Sequence, residues 1–327
     1  MHFYRQILQQ AWDHTKTHRW LWLFGLFAAL IVGNGGEIDI YFNHLGTLTE
    51  SKSFLSPSFW LSGAGVQFVN LWQVILNLAG WQLGLAIFGI SILSLVVVWF
   101  IVTAQIALIY AANNSSKPEV LNFKNCIKAA QKYWWSIFVL NVIQKVFIFG
   151  LLLVLAVPWL AAFLQFRVSC YEIMYLLFSF LILVPLAMLV SFLSKYTANY
   201  IITSNQRLLP ALGSAWKLFR HNWLLSLEMA SLIFTLNLLV SFSLLVVYIL
   251  TSSPFIILST VTGIAANSFS GFLSFILIAY LILVILIVLL GAIFSAFQWS
   301  AWTMLFKEIS VGRGQSKITR WFAKKNK

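Results

Sequence analysis

Arg207-Leu-Leu-Pro-Ala-Leu-Gly-Ser-Ala-Trp-Lys-Leu-Phe-Arg-His-Asn-Trp-Leu-Leu-Ser-Leu-Glu228 is the stretch from which the architecture can be read. Its apolar residues Leu208, Leu212, Ala215, Trp216, Phe219 and Trp223 recur with helical spacing and form one stripe. Arg207, Lys217, Arg220 and His221 fall on the other side. A helix of this design is expected to lie in a membrane surface with its cations toward the headgroups. At Trp223 the chain is expected to turn into a long apolar run.

Working outward, the same design recurs twice. Residues 3–18 place Phe3, Ile7, Leu8, Ala11 and Trp12 on one stripe. Residues 122–133 set Phe123, Cys126, Ile127 and Ala130 against Lys124, Lys128 and Lys132, with Asn122 a suitable N-cap. His18-Arg19-Trp20-Leu21, Lys132-Tyr133-Trp134-Trp135 and His221-Asn222-Trp223-Leu224 mark corresponding corners. The chain therefore reads as a single membrane domain, 1–327, with pseudo-repeats at 3–112, 121–203 and 206–306. Each repeat is a surface helix, a span out and a span back.

The six spans are expected within 20–36, 83–112, 135–163, 173–202, 224–250 and 272–304. Pro185 should kink the fourth. The first apolar core is short for the roughly 20 residues a crossing needs. A cleaved leader is the competing reading; the long amphipathic lead-in and the lack of a clear small-x-small site oppose it. Residues 33–82 read as an extracytoplasmic loop with a further surface helix at 66–78. Residues 251–271 read as an uncharged, apolar loop, and 307–327 as a basic cytoplasmic tail.

Composition fits this plan. Of 327 residues, 61% are hydrophobic and 9% charged, against about 25% charged in soluble domains. The formal charge of +13 is not spread as a nucleic-acid-binding surface would be. The segment before Trp20, loop 113–134, segment 195–222 and the tail from 307 carry +2, +3, +4 and +6, while 33–82, 164–172 and 251–271 carry −2, 0 and 0. That alternation puts both termini in the cytoplasm. Cys126 and Cys170 then fall on opposite sides of the bilayer, so no disulfide is expected.

Three carboxamides, Gln105, Asn199 and Gln298, recur once per repeat near the cytoplasmic ends of the returning spans, at what the alignment makes a comparable depth. They are either interhelical hydrogen-bonding groups, at roughly 0.6–2 kcal/mol each, or the lining of a polar cavity. Lys145, with Asn141 one turn earlier, and Glu228 are the ionisable candidates for an intramembrane site; an unpaired charge there costs at least about 2.5 kcal/mol. Arg19, Lys124, Lys128, Lys132, Arg207, Lys217 and Arg220 are the expected headgroup contacts. Gly80-x-x-x-Gly84 and the run Ala292, Ala296, Ser300 would allow close helix approach.

No cofactor or metal is expected. The histidines His2, His14, His18, His44 and His221 are scattered, the eight acids are dispersed, and neither Gly33-x-Gly35-Gly36 nor Gly312-Arg-Gly-Gln-Ser-Lys317 has the order of a phosphate loop. The corner helix, with Ala211 to Leu225 carrying most of the likeness and echoes at 5–23 and 123–137, resembles a group of six-span bacterial membrane proteins. That group is similar to the membrane domain of glycerophosphoryl diester phosphodiesterases. The resemblance implies a bacterial cytoplasmic membrane and supplies no site residue, because the catalytic barrel of those enzymes is missing. The expected fold class is an all-α integral membrane protein of three helical hairpins, each preceded by an amphipathic interfacial helix. The expected function is a non-enzymatic, lipid-interacting scaffold or accessory factor with anionic lipids as partners; a small transporter or amphiphile permease is the alternative.

Overall fold

Inside a bilayer every backbone N–H and C=O must be bonded within the protein, which leaves long apolar runs no choice but helix. The computed structural model describes residues 2–29, 80–116, 119, 121–165, 170–264 and 269–312. Among them are seven helices and no strand: α1 His2–Thr17, α2 Leu21–Ala29, α3 Gly80–Asn113, α4 Phe123–Gln165, α5 Cys170–Ser204, α6 Leu208–Ile264 and α7 Phe269–Ser310. Five of these, α3 to α7, are long and apolar enough to cross a membrane, which makes this a multi-pass membrane protein. Of the expected first span only Leu21–Ala29 is described; the 66–78 helix, nearly all of the 33–82 loop, and the tail beyond 312 lie outside the described residues.

Two of the three expected corners are breaks in the helix. Between α1 and α2 the backbone closes tight turns, with Leu21 N donating to His18 O at 2.9 Å and Trp22 N to Arg19 O at 3.0 Å. In α6, Asn222 leaves helical geometry at φ −123°, ψ 27°. The middle corner is absent: α4 runs from Phe123 through Trp134 to Gln165 without a recorded interruption. The segment between Leu250 and Ile264, read as a loop, is also helix. Here the hydroxyls of Thr251, Ser252, Ser259 and Thr262 bond back to carbonyls three or four residues earlier, and the helix carries Pro254 inside it. Pro185 likewise sits inside α5.

The chain divides into two compact units. The first comprises Met1–Ile31, Thr103–Ile137 and Lys195–Lys327. In it, α7 packs against α6, α2 and α1. Thr103–Ile109, Lys195–Asn199 and Ser295–Phe306 are buried continuously. Gly25 of α2 lies so close to α7 that a Cβ there would come within 2.0 Å of the Ala292 carbonyl oxygen and 3.0 Å of the Ala296 Cβ. The small-residue run of α7 is therefore a packing seam, and α2 fills it. By contrast, a Cβ at Gly80 or Gly84 would meet nothing within 4 Å among the described residues, so that pair makes no close approach to them. The second unit, Val32–Val102 with Phe138–Ser194, has a small core of Leu151, Leu183 and Ala187, joined by Leu186.

The face of α1 differs from expectation. Its buried line is Tyr4, Ile7, Ala11, His14 and Thr15, while Trp12 is 48% exposed. Part of this line meets α7. Polar residues can face a protein neighbour if they find bonds, and Thr15 donates to Ala11 O at 2.8 Å.

Candidate functional site

The three carboxamides are all buried, and all belong to the first unit. Asn199 Nδ2 donates to the Lys195 carbonyl at 2.8 Å, while its Oδ1 has no partner among the described residues. They do not share one level. Tyr196 faces Trp302 at 6.4 Å between ring centroids and Phe306 at 6.3 Å, and Tyr200 faces Phe306 at 4.8 Å. Those contacts make α5 and α7 run the same way, with Asn199 opposite Leu305. Gln298 precedes Leu305 by seven residues, or roughly 10 Å of helix at 1.5 Å per residue. Lys307 Nζ donates to Asn113 O at 2.9 Å, which ties the end of α7 to the end of α3.

Glu228 is half-buried and accepts a short hydrogen bond from the Tyr4 hydroxyl, which ties the start of α1 to α6. Lys145 and Asn141, both half-buried on α4, belong to the second unit.

The seven expected headgroup cations, Arg19, Lys124, Lys128, Lys132, Arg207, Lys217 and Arg220, are all exposed, and all lie in the first unit. Lys132 Nζ sits 4.9 Å from the Tyr133 ring centre, and the Tyr133 hydroxyl donates to Asn205 Oδ1 at 3.1 Å. Asn205 holds a left-handed backbone, φ 52°, where α5 ends, a conformation Asn tolerates better than most residues. At the start of α6, Ala211 and Ala215 are fully buried, whereas Leu209, Leu212, Trp216 and Trp223 remain exposed beside Lys217 and Arg220.

Sequence reasoning passed over Lys195. It is 8% exposed, and its Nζ lies 4.7 Å from the centre of the Trp302 ring. Its neighbour Tyr196 is buried with the hydroxyl 2.7 Å from Ser226 Oγ. The signal was available: Lys195 stands four residues before Asn199, one turn along the same helix face. At the other edge of the unit, His14 is buried with Nε2 unpartnered among the described residues. Burial first, then the neighbouring His18 and Lys307 charges, bring its pKa down to about 4.

Groups of three or more His, Cys, Asp or Glu positioned for a metal are absent among the described residues. Comparisons with protein-family models, characterised proteins and solved structures find no match.

Proposed function

We propose that this chain is a six-span protein of the cytoplasmic membrane, with both termini inside, which acts as a non-enzymatic, lipid-interacting scaffold or accessory factor. The observation that carries this reading is the split within the first unit. Every expected headgroup cation is exposed, and every recurring carboxamide is closed into packed helix. Exposed Lys and Arg near an anionic surface contribute about 1 kcal/mol each. The start of α6 supports an interfacial role: it leans on the protein through alanines and leaves Leu and Trp beside its cations, the composition of a helix seated at the headgroup level. The breaks at 18–20 and at Asn222 fit surface helices turning into spans. The resemblance carried by Ala211 to Leu225 adds a bacterial setting.

Single cysteines at Gln105, Asn199, Gln298, Lys145 and Glu228, on a cysteine-free background, test the reading with a charged thiol reagent in membranes. Protection at all five with normal labelling at Lys217 is the expected result. Labelling of several from the cytoplasmic side instead points to the permease alternative. That alternative draws on the buried Lys195 and the unpartnered Asn199 Oδ1, groups that suit a polar path.

A further inference from the structure

The corner between α1 and α2 is fixed from several directions. Trp22 Nε1 donates to the Thr15 carbonyl at 3.1 Å, and His18 Nδ1 lies 3.2 Å from the His14 carbonyl. Trp20 is thereby held edge-on to Phe24 at 5.9 Å, and both rings meet Phe123, at 6.0 Å and 5.1 Å, the latter stacked. Phe123 opens α4, so three rings join two segments about a hundred residues apart. Phe24 is buried, Trp20 half-buried and Phe123 42% exposed, so the cluster has an inner end and an open end.

Arg19 immediately precedes Trp20 and Lys124 immediately follows Phe123. Both are exposed, and neither forms an ion pair among the described residues. The ring contact therefore brings together the two stretches that carry Arg19 and Lys124, one exposed cation from each of two repeats, beside one aromatic shelf. Aromatic side chains with a wet edge settle at the boundary between headgroup and acyl chain. A guanidinium offers a planar fork to a phosphate, and an ammonium adds a compact second charge. Lys132 differs because it lies over its own neighbour's ring. Lys217 and Arg220 differ because the rings beside them, Trp216 and Phe219, come from their own helix.

Building on the lipid-interacting reading above, we propose that Arg19, Lys124 and the Trp20–Phe24–Phe123 shelf form a defined site for one anionic diacyl phospholipid. The phosphodiester sits between the two cations and the glycerol and acyl roots lie on the exposed edge of Phe123. This is one retained lipid at the junction of the first and second repeats, distinct from the diffuse attraction of the remaining cations.

The test uses the full chain in detergent and native mass spectrometry, titrated with phosphatidylglycerol and, separately, with phosphatidylcholine. Wild type is expected to retain one phosphatidylglycerol in preference to phosphatidylcholine. R19Q/K124Q should weaken that retained adduct about 30-fold, and each single change about 5-fold, as two exposed cations at a headgroup imply. K217Q/R220Q should leave the retained adduct in place. R19K/K124R should keep most of the binding, which separates lost charge from a disturbed fold. An equal loss in R19Q/K124Q and K217Q/R220Q overturns the site while leaving a general lipid-binding surface. No preference for phosphatidylglycerol in wild type overturns both. Displacement of the lipid by millimolar glycerol 3-phosphate overturns the lipid assignment in favour of a soluble phosphoester.

Discussion

Two stretches of α3 behave in opposite ways. From Gly80 to Phe100 nearly every residue is exposed; from Val102 to Ile109 every residue is buried. Helix α7 repeats the contrast, open along most of Ser274–Leu289 and closed along Ser295–Phe306. Both halves of α3 are apolar, so hydrophobicity does not separate them there; in α7 the closed half is the more polar, with Ser295, Gln298, Ser300 and Thr303. The closed half of α7 sets the small or hydroxyl residues Ser295, Ala296, Ser300, Ala301 and Thr303 among Phe297, Trp299, Trp302 and Phe306; the open half is built mostly from Leu, Ile and Val. Lipid is as apolar as leucine, so helices in a bilayer associate where small residues let backbones approach and polar atoms find partners.

The sharpest way to break this contrast is to overfill the closed half. Gly25→Leu must push α2 away from the Ala292 carbonyl. It should cost about 3 kcal/mol or more, at or above the top of the range for overpacked cores, seen as loss of monodisperse protein in detergent. Gly84→Leu, with nothing within 4 Å of its Cβ position among the described residues, should leave the elution profile unchanged.

Acid probes the same closed region. The unfolded chain takes up a proton at His14 from about pH 6.5 downward, and the folded chain only near pH 4. Stability from this group is therefore complete above 6.5 and falls as pH drops toward 4, by roughly 3 kcal/mol across the window. The melting temperature of wild type should decline over that range, and that of H14F should decline less. A parallel decline in both would remove His14 as the cause.

Tyr4→Phe deletes the hydroxyl that bonds Glu228. A hydrogen bond to a carboxylate is worth about 1.5–3 kcal/mol, and that loss is expected in thermal unfolding. Glu228→Gln combined with Tyr4→Phe should cost less than the sum of the two. The smallest effect belongs to the open half: Leu93→Ala and Leu289→Ala, both exposed, should each fall within about 0.5 kcal/mol of wild type.

The long spans and the exposed cations were legible because length and charge are written directly in the residues. The breaks at His18–Trp20 and at Asn222 were legible because surface stripes end there. The missing break near Trp134 was not, since an amphipathic stripe can run into a span without changing direction, and nothing in Lys132-Tyr133-Trp134-Trp135 forbids helix. The helix through Thr251–Ile264 was hidden by its Ser, Thr and Pro residues. These suggest a loop in water, yet hydroxyls that bond to carbonyls sit comfortably in an apolar helix. Lys195 was passed over because its burial depends on Trp302, a hundred residues away. The unequal heights of Asn199 and Gln298 have the same origin: internal similarity aligns sequences, whereas bulky Tyr196, Tyr200, Trp302 and Phe306 set the register.

The seat of Gly25 against Ala292 also bears on how the chain is made. The two residues stand 267 positions apart. At a synthesis rate of about 5–20 residues per second, α2 leaves the ribosome roughly 13–53 s before the helix that receives it. For that interval α1 and α2 wait in or on the bilayer with the seam partner still unmade, until α7 arrives to receive Gly25.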